Sequence, residues 1–148
     1  MPNFDYIRGL KSLRKVRKGW FDGDGELVDE KLINCLLDWL PVAISEGLST
    51  PLIYPTLIGG VMLEWSGLLE SNSSKLRINN VVSADFTPTT LLKNVNCIGY
   101  IRGNEDKLKV RNVWLAKKFD VSKSTGRKQF KNFVEVFVYY PPNHLNKI

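Results

Sequence analysis

Histidine and cysteine are scarce in this sequence of 148 residues, which contains one histidine, His144, and two cysteines, Cys35 and Cys97. One imidazole and two separated thiols cannot supply the four ligands that a structural zinc ion takes. His144 lies in a C-terminal tail that we predict to be loose, so we expect no Ser/His or Cys/His catalytic pair. We therefore predict no catalytic residue, no metal site and no cofactor, and two free, buried thiols rather than a disulfide.

Long apolar runs are also missing. No stretch approaches the roughly 18 apolar residues of a transmembrane helix. Residues 1–18 are polar and basic, and they lack the apolar centre of a secretion signal. These absences predict a soluble, cytoplasmic protein with no membrane partner. A calcium-binding loop beginning at Asp22 is excluded, because Leu27 and Ile33 stand where glycine and glutamate are required.

The apolar content predicts a packed core. Hydrophobic residues make up 43% of the chain, and sixteen residues are Trp, Tyr or Phe. A chain of this length is typical of one domain. We predict a single domain over residues 1–148, with a helical layer at 1–47, a β-sheet at 48–140 and a loose tail at 141–148.

Two amphipathic helices are predicted at the N-terminus. The first spans Asn3 to Lys18 and has apolar residues at threefold spacing, opposite a basic face. The second begins after Asp29, a good N-cap, and runs to about Leu40. Pro41 predicts that this helix kinks or restarts there, and Gly47 is a natural residue to end it.

A β-hairpin follows the helices. Leu52–Pro55 predicts its first strand, and Gly59-Gly60 supplies the positive φ angles of a tight turn. Val61, Leu63 and Trp65 alternate with more polar residues and mark one face of the return strand. Glu64 points to the other face, and we interpret it as facing solvent or forming a salt bridge with a basic residue rather than as catalytic.

More strands are predicted downstream, at about 76–81, 95–102 and 108–115. Residues 87–92 are compatible with either a short helix or a crossing loop, and 117–128 is a basic loop. Phe130 to Tyr140 has apolar residues at both odd and even positions, which is typical of a central strand. The predicted fold class is α+β, with two N-terminal helices packed on a mainly antiparallel sheet of five to seven strands.

The first eighty or so residues carry a recognisable set of motifs. These are Gly19-Trp20 with Asp22-Gly23, the apolar second helix, Pro51 with Pro55, and Gly59-Gly60-Val61 with Leu63-Glu64-Trp65. In these motifs the chain resembles a widespread, largely uncharacterised family of small bacterial and phage proteins. It departs from the family pattern by the insertion of Phe21 and by Asp24-Gly25-Glu26, and residues 86–148 lie beyond the resemblance. The resemblance implies an accessory protein of a phage or mobile element and assigns no activity.

Positive charge is concentrated in the last third of the chain. Residues 100–148 contain eleven Lys/Arg against four Asp/Glu, whereas residues 29–99 contain four against seven. This distribution predicts a surface for an anionic partner, with three aromatic side chains as further contacts. The predicted cations are Lys107, Lys109, Arg111, Lys117, Lys118, Lys123, Arg127, Lys128 and Lys131, and the predicted aromatic contacts are Trp20, Tyr100 and Trp114.

Two functions are compatible with this pattern. The first is a non-catalytic protein that binds a partner protein, in an inhibitor, antitoxin-like or counter-defence (anti-CRISPR-like) role. The alternative is a nucleic-acid-binding module that uses the basic C-terminal third, with Phe130 among its interleaved aromatics. No residue pattern indicates an oligomeric state.

Overall fold

A computed structural model describes residues 5–71, 76–103 and 115–139. Its elements, in chain order, are α1 (Asp5–Ser12, continued by a 3-10 turn at Leu13–Lys15), α2 (Glu30–Ser45), β1 (Leu52–Pro55), β2 (Val61–Ser71), β3 (Leu76–Phe86), β4 (Val95–Gly103), β5 (Leu115–Phe119) and α3 (Ser124–Tyr139). The five strands form one antiparallel sheet in the order β1-β2-β3-β4-β5. The predicted α+β class is confirmed.

The predicted hairpin forms strands β1 and β2 at one edge of this sheet. Pro55 lies opposite Val61, and Ile53 lies opposite Leu63. Gly59 has a φ of 83°, as the tight turn requires. Val61, Leu63 and Trp65 are buried, and so are Val82, Ala84 and Phe86 on the neighbouring strand. Together they form the inner face of the sheet, which packs against the helices.

Helix α2 begins as the sequence predicts, with Asp29 as its N-cap. The Asp29 carboxylate accepts a hydrogen bond from the Leu32 backbone N–H at 3.0 Å. The helix does not end or restart at Pro41 but continues to Ser45, because buried residues on both sides of the proline hold it in the core. Glu46 is the C-cap and Gly47 follows it, where the Gly47 N–H donates to the Ile44 carbonyl and the Leu48 N–H donates to the Ala43 carbonyl.

The predicted last strand, Phe130 to Tyr140, is wrong, because this segment belongs to the helix α3. Phe130, Val134, Phe137 and Val138 are buried, whereas Gln129, Asn132 and Val136 are exposed. That spacing of three to four residues is helical. The prediction of N-terminal helices only is corrected accordingly, since a third helix follows the sheet.

Two smaller predictions are also resolved. Residues 87–94 form a turn-rich loop, so the crossing-loop interpretation of 87–92 is correct. Lys117 and Lys118 lie on β5 rather than in a loop. Most of the strand predicted at 108–115 lies outside the described residues, which resume at 115. The predicted tail at 141–148 and the start of the first predicted helix also lie outside them.

Helix α3 closes the core against α2 and the inner face of the sheet. The ring of Phe130 lies 5.9 Å from Trp39 of α2, 5.4 Å from Trp65 of β2 and 5.9 Å from Phe119 of β5, as centroid distances. The Trp39 indole N–H donates to the Val121 carbonyl at 2.9 Å, which satisfies its one donor inside the core. Phe130 therefore joins one helix and two strands at a single point.

A buried amide supports the other end of α3. Asn80 of β3 is fully buried, and its Nδ2 donates to the Val138 carbonyl at 3.2 Å. The last carbonyl groups of a helix have no partner within the helix, so this bond satisfies one of them. Gly67 of β2 and Gly99 of β4 leave room for the same turn, since a Cβ on either would meet Val138 or the Phe137 ring.

Candidate functional site

The loop from Gly19 to Glu26 is held by its own backbone. Gly19 N–H donates to the Gly25 carbonyl at 2.8 Å, and Phe21 and Asp24 exchange two N–H to carbonyl bonds at 2.8 Å. The Trp20 ring packs over Gly25, where a Cβ atom would lie 2.5 Å from the indole nitrogen. The same nitrogen donates to the Glu26 carbonyl at 3.3 Å. These contacts fix the loop and direct its tip outwards.

This loop is joined to the turn between β1 and β2. Glu26 N–H donates to the Leu57 carbonyl, and Asp29 N–H donates to the Gly59 carbonyl, both at 3.0 Å. The junction brings exposed apolar side chains from the two segments close together. Their exposed fractions are 55% for Phe21, 58% for Leu27, 48% for Leu57 and 67% for Ile58. We call these four residues with Trp20 the Trp20 patch.

Acidic side chains belong to the same segments as the Trp20 patch. Asp22, Asp24 and Glu26 belong to the same loop and are exposed. Asp29 and Glu30 follow at the N-terminal end of α2, where negative charge is favoured by the helix dipole. Glu30 is paired with Arg14 at 2.8 Å, so the negative charge beside the patch comes mainly from the exposed Asp22, Asp24 and Glu26 of the loop itself.

A second surface lies at the opposite end of α2, which at 16 residues is about 24 Å long. Here a cleft of about 240 Å³ separates the end of α2 from α3. Its floor is apolar and its rim is charged; we call it the cationic cleft. Its lining residues are Ala43, Glu46, Leu48, Arg127, Lys128, Phe130, Lys131 and Asn132.

The charges of the cationic cleft converge on one carboxylate. Arg127 Nε donates to Glu46 Oε1 at 2.6 Å. This hydrogen bond is the main cause that lowers the pKa of Glu46. Desolvation opposes it, and the positive charges of Arg127, Lys128 and Lys131 lower the pKa further by smaller individual amounts. Lys131 Nζ also lies 3.8 Å from Glu135. Three cations thus surround a site that holds one carboxylate.

The end of α2 explains part of this arrangement. The last turn of α2 contains no basic residue, and α3 supplies the positive charge that a helix C-terminus favours. Gly47, with a φ of 108°, has no side chain in the way, and a Cβ there would lie 2.8 Å from Lys131 Nζ. Gly47 therefore serves both the helix end and the position of the Lys131 ammonium group.

The structure separates the predicted cations into groups. Arg127, Lys128 and Lys131 meet at the cationic cleft, whereas Lys117 and Lys118 are exposed on β5 and Lys123 precedes α3. Lys107, Lys109 and Arg111 lie outside the described residues, as does Trp114.

The predicted aromatic contacts are separated as well. Trp20 lies in the patch, half-buried, and Tyr100 lies on β4, opposite Val81. Phe130 is fully buried and forms core rather than surface. Glu64 is half-buried on the outer sheet face, opposite Leu52.

The four exposed apolar residues of the Trp20 patch and Glu46 of the cationic cleft were not predicted from the sequence as site residues. Phe21, Leu27, Leu57 and Ile58 had one available signal, because apolar residues stand where a loop and a turn should be polar. Glu46 had none, because it is 81 residues from Arg127 in the chain.

The two cysteines are free and differ in their environments. Burial raises the pKa of the Cys97 thiol to about 12, with a further contribution from Asp85. Burial also raises the pKa of Cys35, followed by Asp38, but Cys35 is only half-buried. Neither thiol has the electropositive surroundings of a reactive cysteine.

Thiol labelling should distinguish the two cysteines. At pH 8 a thiol with a pKa of about 12 has roughly a thousandth of the thiolate of an ordinary one. We expect iodoacetamide to modify Cys35 slowly in the folded protein and Cys97 only after denaturation, as measured by peptide mass spectrometry. Equal native rates at the two positions would contradict the buried position of Cys97.

Within residues 5–71, 76–103 and 115–139, no three His, Cys, Asp or Glu side chains are grouped as a metal site would require. The helices of the same residues are all too short or too polar to cross a bilayer. Comparison with protein-family models, curated proteins and solved structures finds no match. The resemblance drawn from residues 1–80 stays a prediction.

Proposed function

We propose that this chain is a non-catalytic binding protein that acts by contact with a partner protein, and that the Trp20 patch is the contact surface. The observation that carries the proposal is that Phe21, Leu27, Leu57 and Ile58 are all exposed on two segments that backbone hydrogen bonds join. Contiguous exposed apolar patches with a polar rim are characteristic of protein-interaction sites. An inhibitor, antitoxin-like or counter-defence role in a phage or mobile element would be a concrete form of this function.

The geometry of the loop suits binding without rearrangement. Hydrogen bonds at both of its ends and the packing of Trp20 on Gly25 order it before any partner arrives. A preorganised loop loses little conformational entropy on association, which favours affinity. Phe21 at the tip, packed edge-on against Trp20 at a centroid distance of 5.8 Å, is the natural anchor.

The rim charge defines the chemistry of the partner. Asp22, Asp24 and Glu26 would face basic side chains across the interface, with an apolar surface between them. The expected partner surface is therefore apolar at its centre and rich in lysine or arginine at its edge.

A capture experiment with matched variants tests this proposal. The tagged wild-type chain, Phe21→Ser, Ile58→Ser and a control Val136→Ser are each used to capture proteins from native lysate. Val136 is 51% exposed on α3, outside both surfaces, so it matches the patch residues in exposure. All three exposed positions should tolerate serine with little effect on stability.

We expect one stoichiometric partner with the wild type and with Val136→Ser. Its affinity should fall about thirtyfold for Phe21→Ser, as is typical of an interface anchor. Capture of no stoichiometric partner, or of the same partner at equal affinity by all four chains, would contradict the proposal.

Nucleic-acid binding is the second candidate, and the exposed lysines of β5 and of the start of α3 favour it. Lys117, Lys118, Lys123 and Lys128 are all exposed, as a phosphate-backbone surface requires. The stacking component is weaker, because Phe130 is fully buried and cannot meet a base. Binding to a single-stranded oligonucleotide that weakens steeply between low and moderate salt would support this function, and no binding at low salt would exclude it.

A further inference from the structure

The cationic cleft contains more positively charged side chains than nearby carboxylates to pair with them. Its lining residues comprise Arg127, Lys128 and Lys131 against one carboxylate, that of Glu46. The Glu135 carboxylate lies 3.8 Å from Lys131 and is not among the lining residues. Lys128 makes no ion pair with any residue in the described part of the chain. The lining residues alone have a net charge of +2, and the nearby Glu135 carboxylate reduces the local charge to +1.

Capping of α2 does not account for this excess. The backbone at the end of α2 is already satisfied, because Glu46, Gly47 and Leu48 donate to the carbonyl groups of Val42, Ile44 and Ala43. The cations are stabilised by the partial negative charge at the C-terminal end of the α2 dipole. That attraction is electrostatic and does not require the cations to donate hydrogen bonds to the helix. Apart from the Arg127 Nε–H, which donates to Glu46, the N–H groups of these cations thus remain available to an external anion.

The volume of the cleft and its basic side chains favour a phosphate group over other anions. Its volume of about 240 Å³ is smaller than the roughly 300–1,000 Å³ of pockets that hold cofactors and drug-sized ligands. A phosphate group fits this volume. At neutral pH it carries a charge of about −1.5 to −2, larger than that of a carboxylate, and it offers three acceptor oxygens to the three cations. Arginine and lysine are the side chains that proteins most often place around phosphate oxygens.

We propose that the cationic cleft binds a phosphate group, either as inorganic phosphate or as a phosphate monoester, through Arg127, Lys128 and Lys131. The apolar floor of Ala43, Leu48 and Phe130 excludes water from one side of the site and strengthens the charge interactions. The site lies at the opposite end of α2 from the Trp20 patch. Its existence is therefore independent of the proposed protein contact.

Glu46 has a defined role in this site. Its carboxylate already accepts the Arg127 Nε hydrogen bond and repels an incoming anion. Removing its charge while keeping its shape should strengthen phosphate binding. A purely structural ion pair predicts no such gain, so Glu46→Gln separates the two roles.

The test is a titration of the full chain with inorganic phosphate, followed by NMR of the backbone amides at constant ionic strength. We expect a dissociation constant on the order of 1 mM, with shifts concentrated at Gly47, Lys128 and Asn132. Lys131→Gln should weaken binding about tenfold, and Glu46→Gln should tighten it about fivefold. Lys11→Gln is the matched control, because it removes one exposed charge from a separate shallow hollow lined by Ile7, Arg8, Lys11, Ser12 and Lys15.

Parallel titration with O-phosphoserine distinguishes the source of the phosphate. Equal constants for the two probes would support a site for the phosphate group alone, and tighter binding of phosphoserine would support a monoester. The proposal fails if no amide around the cleft shifts at about 50 mM of either probe. It also fails if Lys11→Gln weakens binding as much as Lys131→Gln, or if Glu46→Gln leaves the affinity unchanged. Thermal unfolding of each variant shows whether it is folded, and the wild-type titration decides the outcome if one is not.

Discussion

Replacing Phe130 by alanine should lower the free energy of unfolding by about 3–5 kcal/mol, the range for large aromatic truncations in a core. Phe130 is fully buried, and its ring meets Trp39, Trp65 and Phe119 at centroid distances below 6 Å. Its removal leaves a cavity where α2, α3 and the sheet meet. Denaturant unfolding followed by tryptophan fluorescence measures the loss.

Val136→Ala is the control for this prediction. Val136 lies on the same helix but is half-exposed, so its truncation should change stability by no more than about 0.5 kcal/mol. A loss below about 1 kcal/mol for Phe130→Ala would mean that the four rings do not form the centre of the core.

Gly126→Ala should be the second most damaging of these substitutions, with a loss of about 3 kcal/mol. A Cβ at this position would overlap the carbonyl oxygen of Asp120, which is backbone and cannot rotate away. The turn that contains Asp120 is held by its carboxylate, which accepts hydrogen bonds from the Ser122 N–H at 3.1 Å and from the Ser122 hydroxyl. Alanine therefore forces either this turn or the first turn of α3 to move.

Gly9→Ala provides the matched comparison for a helical glycine. At Gly9 the nearest atom to an added Cβ is the flexible tip of Ile53, at 3.3 Å. Alanine is favoured over glycine inside a helix by about 1 kcal/mol, so this variant should be neutral or slightly stabilised. Thermal unfolding of the two variants is the measurement, and equal effects would show that helix propensity rather than the Asp120 contact decides the outcome.

The parts of the fold that were predicted correctly rest on local signals. The alternation of Val61, Leu63 and Trp65 and the side-chain cap of Asp29 each act within a few residues. The α3 segment has no such unambiguous signal. Its valines favour a strand, and its apolar positions satisfy both a period of two and a period of 3.6. The apolar inner face of the sheet, which needs a cover, decides for the helix, and that face is assembled from residues distant in sequence.

The candidate site residues also divide into those that local sequence predicts and those that only tertiary packing brings together. The positive charge at Arg127, Lys128 and Lys131 is visible in the sequence, but its convergence on Glu46 and Gly47 depends on the packing of α3 against α2. The Trp20 patch likewise forms only when the loop at 19–26 pairs with the turn after β1. Composition identified charged and aromatic residues, whereas the three-dimensional arrangement determined which of them share a surface.

The order of the elements has a consequence for synthesis on the ribosome. Each strand pairs with the strand before it, so the sheet can grow as the chain emerges. The helix that covers its inner face comes last, and Trp39 must wait for Val121, 82 residues later, to receive its hydrogen bond. At about 5–20 residues per second, the fifty or so residues after Phe86 take roughly 3–10 s to be made. During that interval the part of the inner face that α3 covers stays exposed, and a chain truncated before α3 would be prone to aggregate.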